Sequence, residues 1–265
     1  MRPSKPNILK CPHCGGLCRV RSIMSGNTIR AILWSDGKVD YPMLPPISKV
    51  LRCPVCKKYH FYESSQIVGK CKSWGNASLG KLSYASLKEA MEQLKPTGKE
   101  EETLRMMILW AYNDLYWDVT DAERQTKEYL AEREYFIQNT KAIIALNPDK
   151  PLFCAELYRE IGEFEQCIKI LYSIKQQKDD KTELEICDRR ILIRNFEKAK
   201  NRILQKALLH DSKVYAESHG RDEVTREPVI EEDDDESQYI YDPDNDPEEE
   251  DRFGRFRNID DDEEW

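Results

Sequence analysis

Two short segments hold the residues best able to do chemistry: KCPHCGG, Lys10 to Gly16, and RCPVCKK, Arg52 to Lys58. A Cys-x-x-Cys turn aims two thiolates at one point, and its backbone N–H groups can hydrogen-bond to the sulfurs. Cys11 and Cys14 make one such turn, and Cys53 and Cys56 make the other. Together they offer the four soft ligands that one tetrahedral, structural zinc ion takes, with no position left open for a substrate. Pro12 and Pro54 pre-set φ inside the turns. Gly15 stands where such a turn commonly needs a left-handed residue, and Lys57 stands there in the second, at some cost in strain. Lysines nearby offset the negative charge that four thiolates and one divalent ion leave. The competing chemistry is a pair of redox dithiols. Two pairs flanking strand-like sequence, in a chain whose nine cysteines show no secretory context, favour metal.

The sequence between the turns must position them. TIRAILWSDGKVDY, Thr28 to Tyr41, places Asp-Gly between two β-rich runs, which predicts a two-residue hairpin turn at Asp36 and Gly37. Trp34 would then face Val39, and Ile32 would face Tyr41, as a packed face for the small module. PMLPP, Pro42 to Pro46, breaks the strand and returns the chain to the second turn. Residues 8–70 resemble the zinc-ribbon class on these paired CPxC turns, and that resemblance implies a structural metal. Cys18 and Cys71 are surplus; either could replace a ligand, but both read as buried free thiols. His13 is expected to point outward, and His60 lies too far past Cys56 to share its turn.

The chain has 265 residues, is 34% charged, and has a mean hydropathy of -0.73. Its opening MRPSKPNILK has no apolar run, and MMILWAY, Met106 to Tyr112, is too short to span a bilayer. The expectation is a soluble cytoplasmic protein with no membrane partner. Charge divides the chain: +10 over residues 1–80, nearly neutral over 81–220, and -16 over 221–265.

Two motifs mislead. GNASLGKL, Gly75 to Leu82, imitates a phosphate loop but has Leu82 where a hydroxyl must hold magnesium. DPDNDP, Asp242 to Pro247, imitates a calcium loop with Pro247 in the glycine position.

From Ser86 to about His210 the period is helical. Ser86 and Glu89 predict a capping box for a first helix that ends at Pro96 and Gly98, and Thr120 and Glu123 predict the start of a long helix running to Leu146. Leu104, Ile108, Tyr112 and Leu115 form one apolar stripe. LWAYNDLYW, Leu109 to Trp117, spaces Trp110, Asn113 and Trp117 as either a peptide-recognition surface or, the preferred reading, an aromatic core stripe with a satisfied amide. In PLFCAELYREIGEFEQCIKILYSI, Pro151 to Ile174, the spacing of Ala155, Tyr158, Gly162, Phe164, Cys167, Leu171 and Ile174 resembles one tetratricopeptide repeat. One repeat cannot bury its own faces, so helices near 99–118, 121–146 and 181–209 must complete the stack. Beyond about residue 221, acidic runs and prolines predict disorder.

The expected class is therefore α+β. Residues 1–80 form a zinc ribbon with an inserted hairpin, 81–215 a tetratricopeptide-like helical domain, and 216–265 a disordered acidic tail. The combination resembles bacterial proteins that join a zinc ribbon to helical repeats, a likeness that bears on architecture alone. No catalytic residue set is found, so a non-enzymatic adaptor is expected. It would bind one structural zinc through Cys11, Cys14, Cys53 and Cys56, and a protein partner through its helices. The alternative is a nucleic-acid-binding ribbon that the acidic tail autoinhibits.

Overall fold

The computed structural model describes residues 2–27, 31–41, 44, 48–71, 81–174 and 183–215, with side chains from residue 4 onward and, in the last segment, from residue 196. The expected tail, the phosphate-loop imitation before Lys81 and the calcium-loop imitation lie outside the described residues. The architecture is α+β: among the described residues, short antiparallel strands precede six α-helices. Two compact units form, one from the described parts of Met1–Thr28 and Met43–Leu82, the other from those of Ile29–Pro42 and the chain beyond Ser83.

In the first unit, β1 (Arg2–Lys10) is the middle strand of a sheet ordered β2-β1-β7, where β2 is Leu17–Ser25 and β7 is Gln66–Lys70. Proline lacks the N–H that a middle strand uses on both sides. The β1–β2 register duly shifts between Arg2 and Pro3 and again between Ser4 and Asn7, around Pro6. Leu9, Cys18, Val20 and Leu51 form the buried core, with Tyr62 packed against it. A second hairpin pairs β5 (Val50–Arg52) with β6 (Tyr59–Phe61).

The inserted hairpin departs from the sequence expectation twice. First, β3 (Ile32–Leu33) and β4 (Val39–Asp40) pair Ile32 with Asp40 and Leu33 with Val39. The Trp34 N–H donates to the Lys38 carbonyl at 2.9 Å, so Ser35, Asp36 and Gly37 make a three-residue loop. Gly37, at φ 77°, takes the left-handed place that this longer loop demands. Every facing pair is thereby displaced by one residue.

Second, the hairpin groups with the helices instead of the ribbon. The cause is polar as well as aromatic. Trp34 meets Trp117 edge-on at 5.4 Å. Lys38 Nζ pairs with Asp114 at 2.7 Å, and Trp110 Nε1 donates to the Asp36 carbonyl at 3.2 Å. Ser35 and Tyr215 exchange two bonds: Ser35 N–H to the Tyr215 carbonyl at 2.9 Å, and Tyr215 N–H to Ser35 Oγ at 3.2 Å.

The helices are α1 (Tyr84–Leu94), α2 (Gly98–Leu115), α3 (Lys127–Leu146), α4 (Pro151–Glu160), α5 (Phe164–Ser173) and α6 (Glu183–Leu208). Each packs against the next, and α4 also meets α6. The caps differ from expectation. Ser83 caps α1, accepting from the Ser86 N–H at 3.1 Å, so Ser86 lies within the first turn. Thr120 and Glu123 do form reciprocal bonds, but around the 3-10 turn Glu123–Gln125; Thr126 caps α3 by accepting from the Tyr129 N–H at 3.2 Å.

On α2, Leu104, Ile108 and Tyr112 are buried, but Leu115 is 42% exposed and leaves the stripe. Tyr112 stacks on Phe136 at 4.1 Å and Tyr84 meets Tyr112 at 5.9 Å, forming an aromatic core. Around α4 and α5, Ala155, Cys167 and Leu171 are fully buried with Ile203 and Ala207 of α6. Gly162, at φ 85°, makes the turn between α4 and α5. No helix among the described residues is long and apolar enough to cross a membrane.

Candidate metal centre

Both cysteine turns are the loops of β-hairpins. Residues 11–16 join β1 to β2, whose last pair is Lys10 with Leu17; residues 53–58 join β5 to β6, closing on Arg52 with Tyr59. The two loops share one hydrogen-bond plan. Cys11 N–H donates to the Gly16 carbonyl at 2.9 Å and Gly15 N–H to the Cys11 carbonyl at 3.0 Å. In the second loop Cys53 donates to Lys58 and Lys57 to Cys53, each at 2.9 Å. This plan puts Gly15 at φ 74° and Lys57 at φ 60°. Glycine adopts that conformation freely, whereas lysine is strained there. A Cβ on Gly16 would lie 2.7 Å from Cγ2 of Val55, so the loops approach too closely for any larger residue.

The four sulfurs converge. All lie within 4.8 Å of one another, with Cys11 to Cys56 at 3.9 Å and Cys14 to Cys53 at 3.6 Å. A tetrahedron with metal–sulfur bonds of about 2.3 Å has edges of about 3.8 Å, so these spacings fit one ion. Backbone N–H groups point at the sulfurs: His13 N–H to Cys11 Sγ and Gly16 N–H to Cys14 Sγ, both at 3.4 Å. Cys11 and Cys53 are buried, whereas Cys14 is exposed. The electrostatics follow that division. The Gly16 N–H is the main cause that brings Cys14 down to about 7, while burial pushes Cys11 and Cys53 up. A bound cation would reverse the effect of burial, since a coordinating thiol gives up its proton. Four thiolates with backbone support suit a borderline-soft divalent ion.

The other candidates stand apart from this cluster. Cys18 is fully buried, donates to the Leu9 carbonyl at 3.8 Å, and is pushed up to about 11 by burial first and the Cys11 charge second. Cys71 is buried at the end of β7, its N–H on the Pro6 carbonyl at 2.9 Å. His13 is exposed with Nε2 3.0 Å from the Tyr59 carbonyl. His60 is buried, and burial pulls its pKa down.

A second cluster, within the helical unit, escaped sequence reasoning. Asp36 is fully buried; its Oδ1 accepts from the Lys38 N–H at 3.0 Å and its Oδ2 from Asn113 Nδ2 at 2.9 Å. Asn113 Nδ2 also donates to Glu160 Oε2 at 3.2 Å. Glu156 pairs with Arg159, which donates onward to the carbonyls of Asp211 and Lys213. Glu160 is held well above the usual carboxylate range by burial first, then by the charges of Asp36 and Glu156. Asn113 and Asp114 inside an aromatic helix were the available signal. Their partners lie too far along the chain for local spacing to expose them. The Trp110–Asn113–Trp117 stripe is thus packing for the hairpin. No protein-family model, curated protein or solved structure matches the chain.

Proposed function

We propose that the protein is a non-enzymatic adaptor in which one structural zinc ion, bound by Cys11, Cys14, Cys53 and Cys56, fixes a ribbon, and tetratricopeptide-like helices dock a protein partner. The observation that carries the metal reading is the convergence of four sulfurs at tetrahedral spacing, all supplied by protein, with no vertex left for substrate. The adaptor reading is supported by large apolar side chains on the helical unit: Tyr172 is 72% exposed, Leu208 61% and Leu209 79%. Exposed apolar side chains are surface that a protein partner can bury. Affinity capture with the intact protein and with Tyr172→Glu/Leu209→Glu tests it. A protein retained by the first and lost from the second, at equal zinc content, supports the reading; identical capture by both overturns it.

A second reading rests on the basic residues of the second knuckle. Lys57 and Lys58 are exposed, and the Arg52 guanidinium lies over the Tyr59 ring at 5.5 Å. Charge of this kind suits phosphate. Residues 1–220 should then bind a labelled oligonucleotide more tightly than the full chain, and less tightly as salt rises. Absence of binding at low salt removes this reading and leaves the adaptor.

A further inference from the structure

The helical unit contains a cleft of about 130 Å³ between the C-terminal end of α2, the start of α3, the end of α4 and residues 212–214. Its lining holds opposite chemistries. Arg124, Arg133 and Lys213 are basic, Asn113 and Glu160 supply an amide and a carboxyl group, and Tyr116 and Trp117 add aromatic surface.

Three buried atoms of residues lining this cleft, Glu160 Oε1, Arg124 Nε and Tyr112 Oη, have no partner. Glu160 is 2% exposed, and while its Oε2 accepts from Asn113, its Oε1 accepts from nothing. Arg124 Nε is likewise buried and unpaired, although its Nη1 reaches Asp121 at 3.6 Å. A buried acceptor without a donor and a buried donor without an acceptor are each unfavourable, and native folds rarely keep them without a water or ligand to complete them. Arg133 is held firmly: Nη2 donates to the Glu160 carbonyl at 2.8 Å and its guanidinium lies 4.9 Å from the Phe136 ring centre. Its planar fork is therefore oriented before any ligand arrives.

We infer that this cleft binds a small zwitterion of the α-amino acid type, its ammonium donating to Glu160 Oε1 and its carboxylate accepting from Arg124 and Arg133. An ammonium supplies the missing donor, and its positive charge offsets what burial and the neighbouring Asp36 and Glu156 cost the carboxylate, so Glu160 releases its proton to solvent as the ligand binds. Guanidinium groups recognise carboxylates through paired N–H donors. Size fits as well: a cavity of about 150 Å³ accepts benzene, a molecule of six heavy atoms. The same space takes an amino acid with a small side chain and excludes an aromatic one. The site is independent of the metal centre.

The test is calorimetric titration of the zinc-loaded full-length protein with L-alanine, using acetate, ethylammonium, glycine betaine and inorganic phosphate as separate arms. Binding of L-alanine with at least tenfold weaker binding of both half-molecules supports the proposal. Betaine keeps both charges but has no N–H, so it should bind at least tenfold more weakly than L-alanine. Glu160→Gln should lose at least tenfold in L-alanine affinity. Because Glu160 also holds Asn113 at 3.2 Å, Arg124→Gln, which leaves that bond intact, serves as the second variant and should lose affinity similarly. No heat with L-alanine at millimolar concentration, equal binding of betaine or acetate, binding of phosphate alone, or full affinity in Arg124→Gln would each overturn it.

Discussion

Replacing Trp34 with alanine separates the two places the inserted hairpin could belong. Trp34 is 2% exposed, its ring meets Trp117 at 5.4 Å, and its Nε1 donates to Asp40 at 2.6 Å. Truncating a buried tryptophan costs about 3–5 kcal/mol. The lost hydrogen bond adds little, because Asp40 keeps its ion pair with Lys38 at 3.2 Å. Roughly 1 kcal/mol of the total belongs to the aromatic contact itself, so a double-mutant cycle with Trp117→Ala should show coupling of about that size. For a domain of this length, each kcal/mol moves the melting point by roughly 2–4 °C, giving a fall of roughly 6–20 °C in helix melting. Far-UV circular dichroism reads the melting. The thiolate-to-cobalt absorption of cobalt-loaded protein reports the metal centre, and it should not change. Unaltered helix melting with a perturbed cobalt spectrum would refute the assignment and return the hairpin to the ribbon.

The four-cysteine cluster makes its own demands. Purified protein should hold about one equivalent of zinc by the four-ligand rule, and Cys53→Ser should lose it while helix content is retained; elemental analysis and circular dichroism check both. Lys57→Gly relieves a left-handed lysine at φ 60° and should tighten zinc binding by about 1 kcal/mol in a chelator competition. Glu160 links stability to pH. Its folded pKa lies above the ordinary 4.5, so the native state keeps a proton that the unfolded chain releases. Its contribution is present in full below the unfolded pKa and is lost as pH rises toward the folded one. The stability gap between Glu160→Gln and the wild type should therefore widen from mildly acidic to neutral pH, with the variant the more stable; thermal melts across that range decide it.

The convergence of the four cysteines was legible because its geometry is local. Six consecutive residues fix each cysteine pair, and only the pairing of the two turns needed the fold. The hairpin turn was legible for the same reason, but its register was not. Asp36-Gly37 suits both a two-residue and a three-residue loop, and Asp36 accepting from the Lys38 N–H selects the longer. Nothing local announced which unit would hold the hairpin, since its partners Asn113 and Tyr215 lie 77 and 180 positions from their contacts. Strand β1 was hidden by Pro3 and Pro6, which it accommodates by register shifts. The caps were displaced because Ser83 and Thr126 bond successfully without a glutamate three residues on.

The exchange of bonds between Ser35 and Tyr215 sets an order of assembly during synthesis. Cys56 emerges 45 positions after Cys11, so at ~5–20 residues per second the metal ligands are complete within roughly 2–9 s of the first. Tyr215 follows Ser35 by 180 positions, a delay of roughly 9–36 s at the same rate. Trp117 and Asn113, which bury Trp34 and Asp36, arrive sooner, 83 and 77 positions on, so the indole lies open for roughly 4–17 s. The four cysteines can converge early on a nascent chain; Tyr215 arrives last, and before that the hairpin's indole must wait for Trp117. That wait is the period in which a chaperone, or a second nascent copy, would find the exposed indole.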